Sequence, residues 1–174
     1  MFSRLLSALI FLSVSSFGWS QDSAGGLKIV VLEGEDGVNV IQQNTAVKPI
    51  VEVRDRNDLP VASIAVTFVI VAGGNAGGRA GATFVNNLSQ ITATTDSAGR
   101  ATVSSINPVG RDAFKIQVRA TYQGQTATTT INQTNFQTAA DALQAGKTPG
   151  SSQSATQSAN SSSSTTGTVI VYRS

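Results

Sequence analysis

The chain has 174 residues, of which 13% are charged, and its formal net charge is +2. A charge this close to zero, without a run of Lys or Arg, argues against a nucleic acid as partner. The sequence contains no cysteine and no histidine, which excludes disulfides, cysteine-based metal sites and the two commonest nucleophile–base pairs of enzymes. With so few charged residues, Thr, Ser, Gln and Asn must cover much of the surface, as is typical of exported β-proteins.

The first 20 residues have the three-part pattern of a secretory signal peptide. Arg4 gives a positive start, an apolar run covers 5–17, and the small residues Gly18 and Ser20 precede the expected cleavage point. The alternative is a buried N-terminal helix. The run is too short for a membrane span, so we expect no transmembrane segment in the mature chain. A signal peptide at 1–20 predicts export through the inner membrane, to the periplasm, the cell surface or the extracellular space.

After a short leader at 21–27, apolar residues recur with the period of β-strands. The clearest strand is 114–122, where apolar and polar residues alternate strictly, a pattern that no helix needs. Many short strands with turns between them predict an all-β chain. We expect an Ig-like antiparallel β-sandwich with Greek-key connections at 28–135, built without cysteine. The predicted strands are 27–32, 38–41, 47–54, 61–71, 82–85, 90–95, 100–105, 114–122 and 125–131.

Four residues are assigned to the turns between these strands. Asp96 can accept a hydrogen bond from the backbone N–H two residues on, and Gly99 supplies the positive φ that the turn exit needs. Pro60 lies in a loop of turn-forming residues, and Gly124 belongs to a two-residue hairpin loop. We therefore expect 90–95 to pair with 100–105 as one hairpin, and 114–122 to pair with 125–131 as another.

The composition changes after residue 135. Residues 136–167 are rich in Ser, Thr and Gln and are predicted to form a low-complexity linker or stalk, with at most two weak helical turns near its start. So few apolar residues cannot offset the entropy of ordering. The last segment, 168–174, begins with an apolar, strand-like stretch that is too short to span a membrane. Two interpretations stay open for it: a strand added to a sheet edge in this molecule or a partner, or a frayed terminus.

Acidic loop residues are the candidate metal ligands. Loops at the ends of Ig-like sandwiches can bind Ca²⁺ through carboxylate and carbonyl oxygens, although the spacing here does not match an EF-hand loop. The alternative is that these residues are solvated turn residues. The candidates are Glu33, Glu35, Asp36, Asp55 and Asp58. The glycine-rich stretch 73–81 lacks the ending of a phosphate-binding loop and precedes no helix, so we interpret it as an inter-strand loop. No cofactor and no catalytic residue is assigned.

Two other functional classes stay open. A carbohydrate-binding module would need exposed aromatic rings, and Phe84, Phe136 and Tyr172 are the aromatic residues that the strand pattern leaves outside the core. A secreted hydrolase would need two carboxylates that converge in a deep pocket, and the sequence does not indicate such a pair. We therefore do not expect an enzyme.

Short motifs in a fixed order carry a resemblance to a known family. They lie between 47 and 134 and end ahead of the predicted hairpin loop at Gly124. In order they are Val51-x-Val53-x-Asp55, Pro60-Val61, Val66-Thr67-Phe68, the glycine-rich stretch 73–81, Thr95-Asp96…Gly99-x-Ala101, and Ile116-x-Val118-x-Ala120.

This ordered set resembles the bacterial Ig-like domain group 1 (Big-1), which occurs in invasin- and intimin-like surface proteins. One departure is Asp58-Leu59 before Pro60, where the family has Gly-Asn, and it changes a loop rather than a strand. The resemblance implies a non-enzymatic exported module that acts as a structural spacer or as an adhesive, protein-binding segment at the cell surface. Its partners would be cell-envelope proteins or glycans, and its oligomeric state stays open.

Overall fold

The computed structural model describes residues 26–71 and 81–155. Within them lie a short 3-10 helix at Val85–Asn87 and the α-helix α1 at Ala139–Gln144. In chain order the strands are β1 (Lys28–Glu35), β2 (Gly37–Val40), β3 (Ile50–Arg54), β4 (Ala65–Val71), β5 (Ala82–Phe84), β6 (Gln90–Thr94), β7 (Arg100–Thr102), β8 (Ile106–Pro108), β9 (Asp112–Tyr122), β10 (Gln125–Phe136) and β11 (Gln153–Ala155).

These strands form two larger sheets and one two-stranded ribbon. The four-stranded sheet has the order β11-β1-β3-β7, the five-stranded sheet has the order β2-β10-β9-β4-β6, and the ribbon pairs β5 with β8. The pairs are antiparallel except for β2 and β10, which run parallel. The prediction of an all-β chain without disulfides is thereby confirmed.

One hydrophobic core collects side chains from both larger sheets. The burial pattern of β9 shows how each strand contributes to this core: every second residue from Phe114 to Ala120 is buried, and the residues between them are exposed. Each fully buried Val, Ile or Phe side chain stabilises the fold by roughly 1.5–3 kcal/mol, so this alternation decides which face of each strand turns inward. Core residues from the two sheets include Ile29, Val31, Val51, Val53, Val66, Phe68, Ile116, Val118 and Ile131.

The turn between β6 and β7 connects the two larger sheets, because β6 pairs with β4 and β7 pairs with β3. The prediction that these two strands pair as a hairpin is therefore wrong. Asp96 Oδ1 accepts hydrogen bonds from the backbone N–H groups of Ala98 (2.8 Å) and Arg100 (2.9 Å). Gly99 has φ +73°, a conformation that favours glycine. A Cβ at Gly99 would lie 2.8 Å from the carbonyl oxygen of Val53 and 2.9 Å from Cβ of Pro60. The turn is therefore packed closely against the loop that follows β3.

Over residues 136–155 the structure contains the expected helical turns, as α1, but it differs from a linker in the residues that follow. Thr138 caps α1, because its hydroxyl accepts from the backbone N–H of Asp141 and the Asp141 carboxylate accepts from the backbone N–H of Thr138. Further on, Gly150 and Ser151 exchange backbone hydrogen bonds with Val38 on β2, and β11 pairs with β1. Hydropathy did not reveal this segment because caps and main-chain pairing need no apolar side chains.

Several predicted segments lie outside the described residues. They are the signal peptide at 1–20, most of the leader at 21–27, nearly all of the glycine-rich stretch 73–81, the remainder of the linker at 156–167, and the segment 168–174.

Replacing Gly99 with Ala is expected to destabilise the fold by about 2–4 kcal/mol, from left-handed strain and the close contacts of the new Cβ. Gly124 is a matched control, since its φ is +76° but a Cβ there would meet no atom within 4 Å. Gly124→Ala should therefore cost only the strain, about 1–2 kcal/mol. Urea unfolding of the two variants and the parent protein gives both values. Equal losses would show that packing around Gly99 does not matter.

Candidate functional site

An open depression of about 490 Å³ lies on the outer face of the five-stranded sheet. Three neighbouring strands, β6, β4 and β9, form its floor. We call it the outer depression. Its lining residues are Ala65, Thr67, Val69, Gln90, Gln117, Arg119 and Thr121.

Strand alternation places these side chains together. Val66, Phe68 and Ile70 of β4 point into the core, so Thr67 and Val69 between them point outward. The strand register then sets their neighbours in rows across the sheet. One row is Thr92, Thr67, Arg119 and Thr128, and the next is Gln90, Val69, Gln117 and Thr130.

The outer depression offers hydrogen-bonding groups and positive charge. β4, β6 and β10 contain no charged residue, whereas Lys115 and Arg119 are the outward-facing charged residues in the centre of β9. The hydroxyl groups of Thr67 and Thr92 lie 3.4 Å apart, so they are close enough to bind one polar group together. A guanidinium among hydroxyls and amides favours ligands with carboxylate, carbonyl or hydroxyl oxygens.

A second depression of about 150 Å³ lies among loops at one end of the strands. The carboxylate of Asp55 is engaged there in its own turn, accepting from the backbone N–H groups of Asn57 (2.8 Å) and Leu59 (2.9 Å). Its lining residues are Leu27, Asp55, Arg56, Asn57, Tyr122, Gln123 and Gln125. The predicted turn residue Pro60 follows this loop, and its backbone forms an isolated antiparallel β-bridge with that of Arg54.

The five candidate calcium ligands do not form a single cluster. The Glu35 carboxylate accepts from the backbone N–H (3.2 Å) and the side-chain amide (2.8 Å) of Asn132. Asp36 lies in the turn between β1 and β2 with φ 51°, and Glu33 is exposed on β1. Within 26–71 and 81–155, no three acidic residues come close enough together to hold a metal ion.

Asp58 belongs instead to a chain of charged residues on the outer face of the four-stranded sheet. Lys28 forms an ion pair with Asp58, Asp58 contacts Arg54 at 3.4 Å, and Arg54 Nε donates to Glu52 at 2.8 Å. The hydrogen bond from Lys28 is the main reason that the pKa of Asp58 lies below its ordinary value. The hydrogen bond to Glu52 is the main reason that the pKa of Arg54 is raised.

Three buried amide side chains form a hydrogen-bonded network between β2 and β10. The Asn39 amide donates to Gln133 and to Asn135, at 3.0 Å each, and accepts from the backbone N–H of Val47 at 2.8 Å. Gln133 in turn donates to the carbonyl oxygens of Gly34 and Val47, at 3.1 Å each. Sequence analysis missed this network. The sequence pattern that could have revealed it is that Gln133 and Asn135 occupy the next two inward-facing positions of β10 after Ile131.

The aromatic residues do not collect on the outer depression. Phe84 is fully buried in the core, so the expectation that it lies outside the core is wrong. The reason is that β5 pairs with β8, which turns Phe84 inward beside Ile106. Phe136 is half-buried at the end of β10, and Tyr172 lies outside the described residues.

Comparison with known proteins assigns no family to the chain. No protein-family model matches the sequence, and no curated protein matches it significantly. In the part of the chain that the structure describes, there is also no helix with the length and apolarity to cross a membrane.

Replacing Asp58 with Asn is expected to destabilise the fold at pH 7 and to have no effect in acid. Because the pKa of Asp58 is lowered from 3.8, its charge stabilises the folded chain above that pH. This contribution is lost as the pH falls through the lowered pKa. Urea midpoints between pH 7 and about pH 2 measure the difference. Asp36→Asn, in an exposed turn, is the control, and a pH-independent loss in Asp58→Asn would contradict the ion-pair explanation.

Replacing Gln133 with Ala is expected to cost about 2–4 kcal/mol, because it leaves two buried carbonyl groups without donors. Asn132→Ala, at the next position, removes an exposed hydrogen bond with Glu35 and should cost about 0.5–1 kcal/mol. Urea unfolding compares the two variants. Similar losses in both would mean that the buried network contributes no more than a surface contact.

Proposed function

We propose that the chain is an exported, non-catalytic Ig-like module of the Big-1 kind that binds a protein of the cell envelope. The outer depression is the observation that carries the binding part of this proposal, because it presents Arg119 among exposed hydroxyl and amide groups. A surface that served only as a spacer needs no such concave group of hydrogen-bonding side chains around a positive charge.

The Ig-like sandwich is proposed on three grounds. The two larger sheets contribute to one core, their neighbouring strands pair mostly antiparallel, and the described part of the chain has about the length of such a unit. The ordered motifs from Val51 to Ala120 add the resemblance to Big-1. Export rests on the signal-peptide pattern of residues 1–20.

The absence of a catalytic step is proposed from the sequence. It contains neither histidine nor cysteine, which removes the two commonest nucleophile–base pairs of enzymes. A carbohydrate-binding module is the second class, and it loses its main sequence argument because Phe84 is buried. An extended polypeptide with acidic and polar side chains suits the depression better, since backbone and carboxylate oxygens can meet Arg119 and Gln117.

The proposal is tested by capture of envelope proteins and of a polysaccharide panel on the immobilised chain. Arg119→Ala is expected to weaken protein capture about tenfold or more, as the loss of a central arginine in an interface does. Arg100→Ala is the matched control and should bind normally, because Arg100 is also exposed but lies on β7 of the other sheet.

The other outcomes decide between the classes. Capture of a polysaccharide that depends on Arg119 would replace the protein partner with a glycan. Capture that ignores both substitutions would remove the outer depression from the proposal. A chain that captures nothing would be a spacer.

A further inference from the structure

β6 forms an edge of the five-stranded sheet, and its backbone groups show which way that edge faces. Backbone hydrogen bonds join Ile70 to Ser89 (2.8 Å) and Ile64 to Thr95 (2.9 Å), on either side of the β4–β6 ladder. Because hydrogen-bonded pairs alternate along an antiparallel ladder, the odd-numbered residues of β6 face β4 and the even-numbered residues face away. The residues that face away are Gln90, Thr92 and Thr94, and all three are exposed.

No backbone group of residues 26–71 or 81–155 pairs with these three residues. Two other edges are at least partly covered. The outer side of β2 is covered by Gly150 and Ser151. On β7, the backbone N–H and C=O of Arg100 are both taken up by Asp96. β6 therefore presents a row of free donors and acceptors that a further strand can extend.

The sequence of β6 does not protect this edge. Gln90–Thr94 contains no proline, no charged residue and no bulge, which are the usual means of blocking edge pairing. Ile91 and Ala93 pack against the core but stay only partly buried. A strand with apolar residues at alternate positions would cover what these two side chains leave exposed.

We propose that residues 168–172 of the same chain add to the free edge of β6 as a sixth strand of this sheet. The segment reads Thr-Val-Ile-Val-Tyr, which combines high β-propensity with apolar side chains on both faces. It has five residues, as β6 does, so it can pair with the whole of the free edge.

The tether between the last described residue and this segment is long enough. β11 lies at the opposite side of the molecule, because β1 packs near β10 whereas β6 packs near β7. The path to β6 spans about four strand spacings and one sheet separation, roughly 30 Å. Residues 156–167 can extend about 40 Å. Attachment in the same chain also gives a local concentration in the millimolar range, which favours it over a second copy.

Hydrogen–deuterium exchange on the full exported chain is the first test. The amides of Gln90, Thr92 and Thr94 are expected to exchange at least about tenfold more slowly than in the variant Ile170→Pro, which removes a donor from the added strand. Ser163→Pro, in the tether, is the matched control and should keep the protection. Unchanged exchange in β9 verifies that the variants fold. Equal exchange of the β6 amides in all three proteins would overturn the proposal.

Cysteine pairs give an independent test, because the chain has no cysteine of its own. Thr92→Cys is combined in turn with Val169→Cys, Ile170→Cys or Val171→Cys, and as a control with Ser163→Cys. Under mild oxidation, a disulfide within one chain is expected to form at least about tenfold faster for one or two of the three pairs than for the control, since strand pairing fixes the distance. Crosslinks between chains, or equal rates for all pairs, would overturn the assignment to the same chain.

Discussion

The hydrogen bonds of Gln133 are the constraint on which the rest of the fold depends. Its side chain is 1% exposed and connects the end of β1, the segment before β3 and the parallel pair β2–β10 through Gly34, Val47 and Asn39. A buried amide is stabilising only when its partners are in place. Gly37 is part of the same constraint, because a Cβ there would lie 2.9 Å from the Gln133 side chain. The network thus specifies one register for β2 on β10.

That register has a consequence for the surface. With β10 fixed by its inner amides, its outer residues and those of β9 and β4 fall into rows. The polar rows of the outer depression lie on the opposite face of the sheet from the core, since outward residues such as Thr67 and Gln117 stand between two buried apolar neighbours. The side chains that line the outer depression, Arg119 among them, are therefore held by strands rather than by loops, so that binding at this surface would require little ordering of the backbone.

Much of the fold could be predicted from the sequence, and the reasons differ by element. The strict alternation at 114–122 matches β9 closely, and Asp96 and Gly99 occupy a turn with the hydrogen bonds and φ described above. Main-chain pairing leaves no pattern in hydropathy, so β11 and the contact of Gly150 with Val38 could not be foreseen. The outer depression was equally hidden, because period two shows that Arg119 faces outward but not which strands flank it. The position of Phe84 was predicted wrongly for the same reason, since its burial comes from the pairing of β5 with β8, which is distant in the sequence.

The segment from Thr138 to Ala155 also determines how the protein responds to tension. It touches both sheets at one side, with Gly150 and Ser151 on β2 and β11 on β1. A force applied beyond Ala155 would reach these few backbone hydrogen bonds before it reached the long β9–β10 pair or the core. They would open one after another and lengthen the chain while the other strands stayed paired. In a module tethered at a cell surface, this segment would serve as a short extensible spring.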